Sequence, residues 1–183
     1  MNKLTTIALL LLSITFSTSQ QQPETIQEDN KTEEPKIDKE FTINDPLYNL
    51  HFQLEKTKDN KHNLVISMEL KNGSYYVSPN AKRDFSGKFY MDLGSYKDLD
   101  FQGELIETPR SVEEIDPHPF VGGAVNWVRV NTTYKQSLQV KSQEEFVVFG
   151  RVQFTIEPRC SFEEIPFAIR YKDGKMIFID PKC

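Results

Sequence analysis

Two sulfurs are the first residues in this chain that invite chemistry. Residues 154–167 read FTIEPRCSFEEIPF, with Cys160 set just after an alternating apolar run, and the only other cysteine is the last residue, Cys183. Three roles are open to Cys160: half of a structural crosslink, half of a redox device, or a free thiol that packs as a small hydrophobe. A reactive thiolate needs positive neighbours or a helix N-terminus. Arg159 is adjacent, but Glu157, Glu163 and Glu164 crowd the same stretch, so the local charge argues against a depressed pKa. A Cys160–Cys183 disulfide would close a loop over 23 positions and stabilise the fold by about 3 kcal/mol in the chain-entropy model. Such a bond requires the two Cα atoms to come within about 7 Å. In the redox alternative, Cys183 swings back on the Asp180-Pro181-Lys182 approach to act as the resolving partner of Cys160.

The remaining titratable residues offer less. His51, His62 and His118 have no ligand partner at metal-binding spacing and no cysteine close by, so no metal is expected and each reads as a surface or loop residue. There is no G-x-S-x-G elbow, no H-E-x-x-H and no glycine-rich phosphate loop, so no activated nucleophile and no cofactor are indicated. The acidic pairs Glu113-Glu114, Glu144-Glu145 and Glu163-Glu164 would point to opposite faces of a strand. They read as solvated strand ends. Asn131-Thr132-Thr133 matches the glycosylation acceptor pattern, which has meaning only in a eukaryotic cell. Trp127, the single tryptophan, sits in AVNWVRV where both alternating faces are largely apolar, and reads as a core anchor between sheets.

What carries these residues is a chain of 183 residues with 38% hydrophobic content and a net charge of −5, the composition of one globular domain with appendages. No basic footprint for phosphate recognition is present, which excludes nucleic acid as a partner. Residues 1–19 have a lysine at position 3, an apolar stretch from Ile7 to Phe16 and small residues at Ser17 and Ser19. That order is a secretory signal peptide with cleavage near Ser19, too short in its apolar part to span a bilayer. Export places both cysteines in an oxidising compartment, the periplasm or the exterior of a bacterial cell, with no stable membrane insertion afterwards. Residues 20–40 follow with seven acids, three lysines and two aliphatic residues, Ile26 and Ile37. Such a segment cannot bury enough apolar surface to order itself and reads as a disordered acidic linker.

From Phe41 the apolar residues recur with period two, and residues 41–183 read as one β-domain. Leu64, Ile66, Met68 and Leu70 share a face in HNLVISMEL, as do Phe89, Met91 and Leu93, then Val148, Gly150, Val152, Phe154 and Ile156. Ile165, Phe167 and Ile169, and finally Met176 and Phe178, continue the series. Asn72-Gly73-Ser74 and Asp173-Gly174-Lys175 supply positions suited to tight hairpins. No segment has helical spacing over three turns. Eight or nine short strands with turns between them predict an all-β fold, an antiparallel immunoglobulin-like β-sandwich.

The order of motifs from about Phe41 to Ile169 resembles the N-terminal periplasmic domain of the thiol:disulfide interchange protein DsbD, itself an immunoglobulin-like sandwich. The resemblance is carried by Asn72-Gly73-Ser74-Tyr75-Tyr76-Val77-Ser78-Pro79, with Tyr75 in the family's tryptophan position, by Ile106-Glu107-Thr108-Pro109 and Asp116-Pro117, and by Gly150-Arg151-Val152-Gln153-Phe154. It implies a strand leading to two cysteines that take electrons from a transmembrane partner and reduce periplasmic thiol oxidoreductases. Cys160-Ser161-Phe162-Glu163 looks like the second cysteine and its sequel. The first would fall at Thr155 or Ile156, and neither can form a disulfide. Exchange needs an attacking and a resolving thiol in reach of one another, so the family's reductase activity does not carry over.

These readings converge on an exported sandwich without intrinsic catalysis, a binding or interaction module of the bacterial envelope. Its expected partner is an envelope protein, with a thiol oxidoreductase as the candidate. The alternative is thiol-disulfide exchange by Cys160 with Cys183.

Overall fold

The computed structural model describes residues 39–58, 60–118 and 121–181. The leader, the linker up to residue 38 and Cys183 lie outside the described residues. Within them the chain forms β1 (Glu40–Asn44), β2 (Tyr48–Lys56), β3 (Lys61–Leu70), β4 (Tyr76–Val77), β5 (Tyr90–Asp92), β6 (Leu99–Thr108) and β7 (Glu114–Asp116). These are followed by β8 (Gly123–Val125), β9 (Trp127–Val128), β10 (Thr132–Val140), β11 (Phe146–Ile156), β12 (Ser161–Lys172) and β13 (Lys175–Ile179). One sheet has the order β1-β2-β3-β10-β6 and the other β13-β12-β11-β5, with every pairing antiparallel. The fold is an immunoglobulin-like β-sandwich. Two short ribbons, β4-β9 and β7-β8, carry the loops between the sheets.

Alternation builds the core. Tyr48, Leu50, Phe52 and Leu54 of β2 and Val148, Val152, Phe154 and Ile156 of β11 are all buried, each large side chain contributing about 1.5–3 kcal/mol by leaving water. The two inner faces meet through aromatic contacts: Tyr48 against Phe154 with centroids 5.1 Å apart, and Phe52 against Phe167 at 5.4 Å. Gly150 keeps the inward parity of β11 but has no side chain because the Phe167 ring occupies that room. A Cβ there would lie 2.5 Å from Phe167 Cζ.

The turns follow their chemistry. Asp173 (φ 50) and Gly174 (φ 72) close the β12–β13 hairpin on two left-handed residues. Asn72 (φ 54) and Gly73 (φ 70) also form a tight turn, but it hands the chain to β4, which pairs with β9 rather than back with β3. The 88–93 stretch buries Phe89 and Leu93 as the alternation predicts, while its paired portion is only the three residues of β5. Beside β5 the open margin of β11 is closed by a side chain. Tyr96 Oη accepts from Phe149 N at 2.9 Å and donates to Phe149 O at 3.2 Å, which blunts an edge that would otherwise invite strand pairing.

Two expectations about placement need correction. His62 is not a surface residue: it has the same parity as Leu64, Ile66 and Met68 and is 3% exposed. Trp127 is not an anchor between the main sheets. It is half-buried in a smaller cluster with Val77, Ala81, Val125, Phe85 and Val121, because in β9 the inward parity belongs to its neighbour Val128.

Candidate functional site

Cys160 lies at the tip of the β11–β12 hairpin. Ile156 pairs with Ser161, so residues 157–160 form the connecting loop and Cys160 takes φ 55 at its end. The thiol is free and exposed. Its Sγ–H donates to Glu157 Oε1 at 3.2 Å. That hydrogen bond, reinforced by the negative charge of Glu157, pushes the thiol above its ordinary pKa, because both stabilise the protonated form.

Arg159, the one adjacent cation, does not help the sulfur. Its guanidinium is taken up by Asp45 at 3.1 and 3.2 Å, by Glu163 Oε1 at 2.7 Å and by Ser161 Oγ at 2.6 Å. Glu163 Oε2 in turn accepts from Tyr48 Oη at 3.1 Å. This is a latch between the hairpin tip and the β1–β2 connection. It corrects the reading of Glu163 as a solvated strand end, since its side chain is 20% exposed and clamped. Glu164, pointing outward, receives Gln153 and lies 3.8 Å from Arg151.

Burial alone would raise both latch carboxyls. For Glu163 the hydrogen bonds from Ser161 and Arg159 outweigh it, and for Asp45 those from the Leu47 backbone and Arg159 do, so both end below their usual values. Groups with depressed folded pKa values contribute stability above their unfolded values of 4.5 and 3.8 and lose it as pH falls through the folded ones. Urea midpoints of the mature protein should therefore drop on acidification below about pH 4.5. Arg159→Gln should flatten that drop, and an unchanged profile in the variant would refute the latch.

On the other side of the tip, the Tyr75 backbone bridges Glu157, with N···O distances of 3.2 and 2.9 Å. The Tyr75 ring meets Trp127 edge-on at 4.9 Å. Arg129 lies 4.3 Å from the Tyr75 centroid and 5.6 Å from that of Trp127, and is held by Glu114 at 3.2 Å. Trp127 Nε1 donates to Asp116 Oδ2 at 2.8 Å. A rim of aromatic rings and one spoken-for cation thus adjoins Glu157, the residue that bonds Cys160.

The two positions where the resemblance would place a first cysteine, Ile156 and Thr155, both have structural roles. Ile156 is fully buried, and Thr155 N donates to Gly87 O at 2.7 Å. Cys183, the other cysteine, lies outside the described residues.

His51 is engaged with Thr42 Oγ1 at 2.8 Å, while His62 is in the core and His118 lies in the loop after β7. Among the described residues no three His, Cys, Asp or Glu side chains come together as metal ligands.

Sequence reasoning missed one polar centre. Glu107, on the edge strand β6, is 6% exposed and accepts five hydrogen bonds. Oε2 takes Ser78 Oγ at 3.0 Å, Asn80 Nδ2 at 2.6 Å, and Ser111 N and Oγ at 3.0 Å each; Oε1 takes Tyr134 Oη at 3.1 Å. Tyr134 also shares a 2.8 Å bond with Tyr76 Oη and stacks on Phe89 at 4.0 Å. Burial pushes both phenols up, so they stay neutral. The Glu107 network fastens the loops after β4 and β6 to the core and exposes no reactive atom.

No protein-family model matches the chain, and neither does any curated protein. Among solved structures, it is similar to the GAE domain of GGA2p from Saccharomyces cerevisiae, at 11% identity and TM-score 0.40 over 73% of this chain and 98% of that one. A yeast GGA1 GAE domain follows at 11% identity and TM-score 0.39, over 70% and 96%. The Neisseria meningitidis DsbD N-terminal domain in its reduced form has 10% identity and TM-score 0.38, over 74% and 91%. Likenesses this distant say nothing of activity.

Proposed function

We propose that this protein is a non-catalytic interaction module, exported to the periplasm or cell exterior with its leader cleaved near Ser19. The observation that carries the reading is the state of Cys160: an exposed thiol bonded to Glu157 and kept protonated, with no second cysteine among the described residues. A thiol exchanger needs the opposite, a thiolate next to a resolving partner.

What such a module offers a partner is a face. Tyr90, Phe149 and Phe162 are 52%, 47% and 57% exposed, and their registers set all three on the outer side of the β13-β12-β11-β5 sheet, spread along it with Arg151, Gln153 and Glu164 between them. Exposed aromatics interleaved with polar and charged side chains on one sheet face suit a protein partner. The partner suggested by the DsbD-like order of motifs is an envelope protein, with a thiol oxidoreductase as the candidate.

The purified mature protein, supplied with a dithiol reductant, should reduce insulin no faster than the reductant alone. Catalytic turnover would overturn the proposal. The competing reading, exchange between Cys160 and Cys183, is distinguished by thiol titration of unfolded, unreduced protein. Two titratable groups are expected, and none would indicate the bridge.

A further inference from the structure

His62 poses a problem that the fold does not solve. Its ring is 3% exposed, and neither Nδ1 nor Nε2 has a hydrogen-bond partner. A neutral imidazole left so is already costly, and a charged one far more so. The residue is two positions from the β2–β3 turn and pairs with Lys56 on one side and Leu138 on the other. It also borders a cleft of about 420 Å³ shared with Thr57, Lys61, Asn63, Gln102 and Ser137.

Among the described residues, no carboxylate is hydrogen-bonded to the His62 ring. Lys56 stands opposite on β2 with Nζ on the Gly174 carbonyl at 3.3 Å, and Lys61 is the preceding residue. The carboxylates of the adjoining elements are bound to other cations: Glu55 to Lys135 at 3.3 Å, Asp100 to Lys141 at 2.5 Å, and Glu145 to Lys172 at 3.3 Å. Asp173 is exposed in the β12–β13 turn. Leu138, across on β10, is neutral. The Asn60 backbone favours the charged ring, but burial and Lys56 outweigh it.

We propose that His62 is an acid-operated switch: with the ring neutral the β2–β3 end of the sandwich stays closed over it, and on taking up a proton it opens that end while the rest of the sandwich stays folded. Burial first, and then Lys56, hold the ring below the 6.5 of a free histidine. The sign follows. The enclosed state binds its proton less readily than the open one, so closure is favoured above 6.5 and weakens as pH falls toward the lowered value, by about tenfold in the opening equilibrium per pH unit. This window lies above that of the Asp45–Arg159–Glu163 latch, so the two are separable.

The test is imidazole NMR titration of the mature protein from pH 8 to pH 5, together with amide hydrogen exchange corrected for intrinsic rate, on wild type and His62→Phe. His62 should titrate below 6.5. Exchange at residues 54–64 should rise about tenfold per pH unit through the window while β11 and β12 remain protected, and His62→Phe should abolish the rise. Titration at 6.5 or above, loss of protection in all strands together, or an identical rise in the variant would each overturn the proposal. If His62→Phe does not fold, the wild-type titration and the pattern of exchange decide alone.

Discussion

Glu107→Ala should cost about 3–5 kcal/mol of folding stability, because truncation strands the buried hydroxyls of Tyr134 and Ser78 and the partly buried donors of Asn80 and Ser111, each unsatisfied group costing about 1–3 kcal/mol. For a domain of this size that is a fall in Tm of about 10–15 °C. Glu107→Gln should retain most of the loss-sensitive contacts. Its single carbonyl oxygen can replace Oε2, where four of the five donors converge, while its amide donates to the Tyr134 oxygen. Thermal and urea unfolding would check both. An alanine variant within about 1 kcal/mol of wild type would show that the loops are held by something other than this carboxylate.

Gly87→Ala should cost about 2–4 kcal/mol for a different reason. The residue sits at φ +86, and a Cβ would lie 1.9 Å from Thr155 Oγ1 and 2.8 Å from Thr155 Cβ. Left-handed backbone for a non-glycine residue costs roughly 1–2 kcal/mol, and forced overpacking roughly 1–3. The two contributions separate in a double-mutant cycle. Thr155→Ala removes the Oγ1 collision and should recover part of the loss, leaving the backbone strain in place. No recovery at all would mean that the Gly87–Thr155 contact does not set the position of this loop. Thr155 is one of the two places where a second redox cysteine would fall, and the structure uses it to dock the chain before β5.

How far the sequence could be read follows from which interactions are local. Period-two alternation is a property of consecutive residues, so the inward sets of β3 and β11 were legible, and so was the left-handed Asp173-Gly174 turn. The same alternation carried back one step would have placed His62 beside Leu64 and Ile66; histidine's polarity masked the signal. Trp127 could not be placed because both parities of AVNWVRV are apolar, and only the short β4–β9 pairing decides which side faces in. Glu107 was out of reach altogether. Its burial depends on donors 29, 27, 4 and 27 positions away, and nothing in Ile106-Glu107-Thr108-Pro109 announces them. The charge argument at Cys160 was legible because Glu157, which sets the thiol's state, is only 3 positions away.

The most direct trial of the central contention is the pH–rate profile of Cys160 alkylation by iodoacetamide in folded protein, set against the same protein unfolded in urea with Cys183 replaced by serine in both. The account predicts that half-maximal reactivity in the folded state falls at higher pH than in the unfolded chain, since Glu157 holds the proton on the sulfur. A folded-state midpoint below the unfolded one would show an activated thiolate and contradict it.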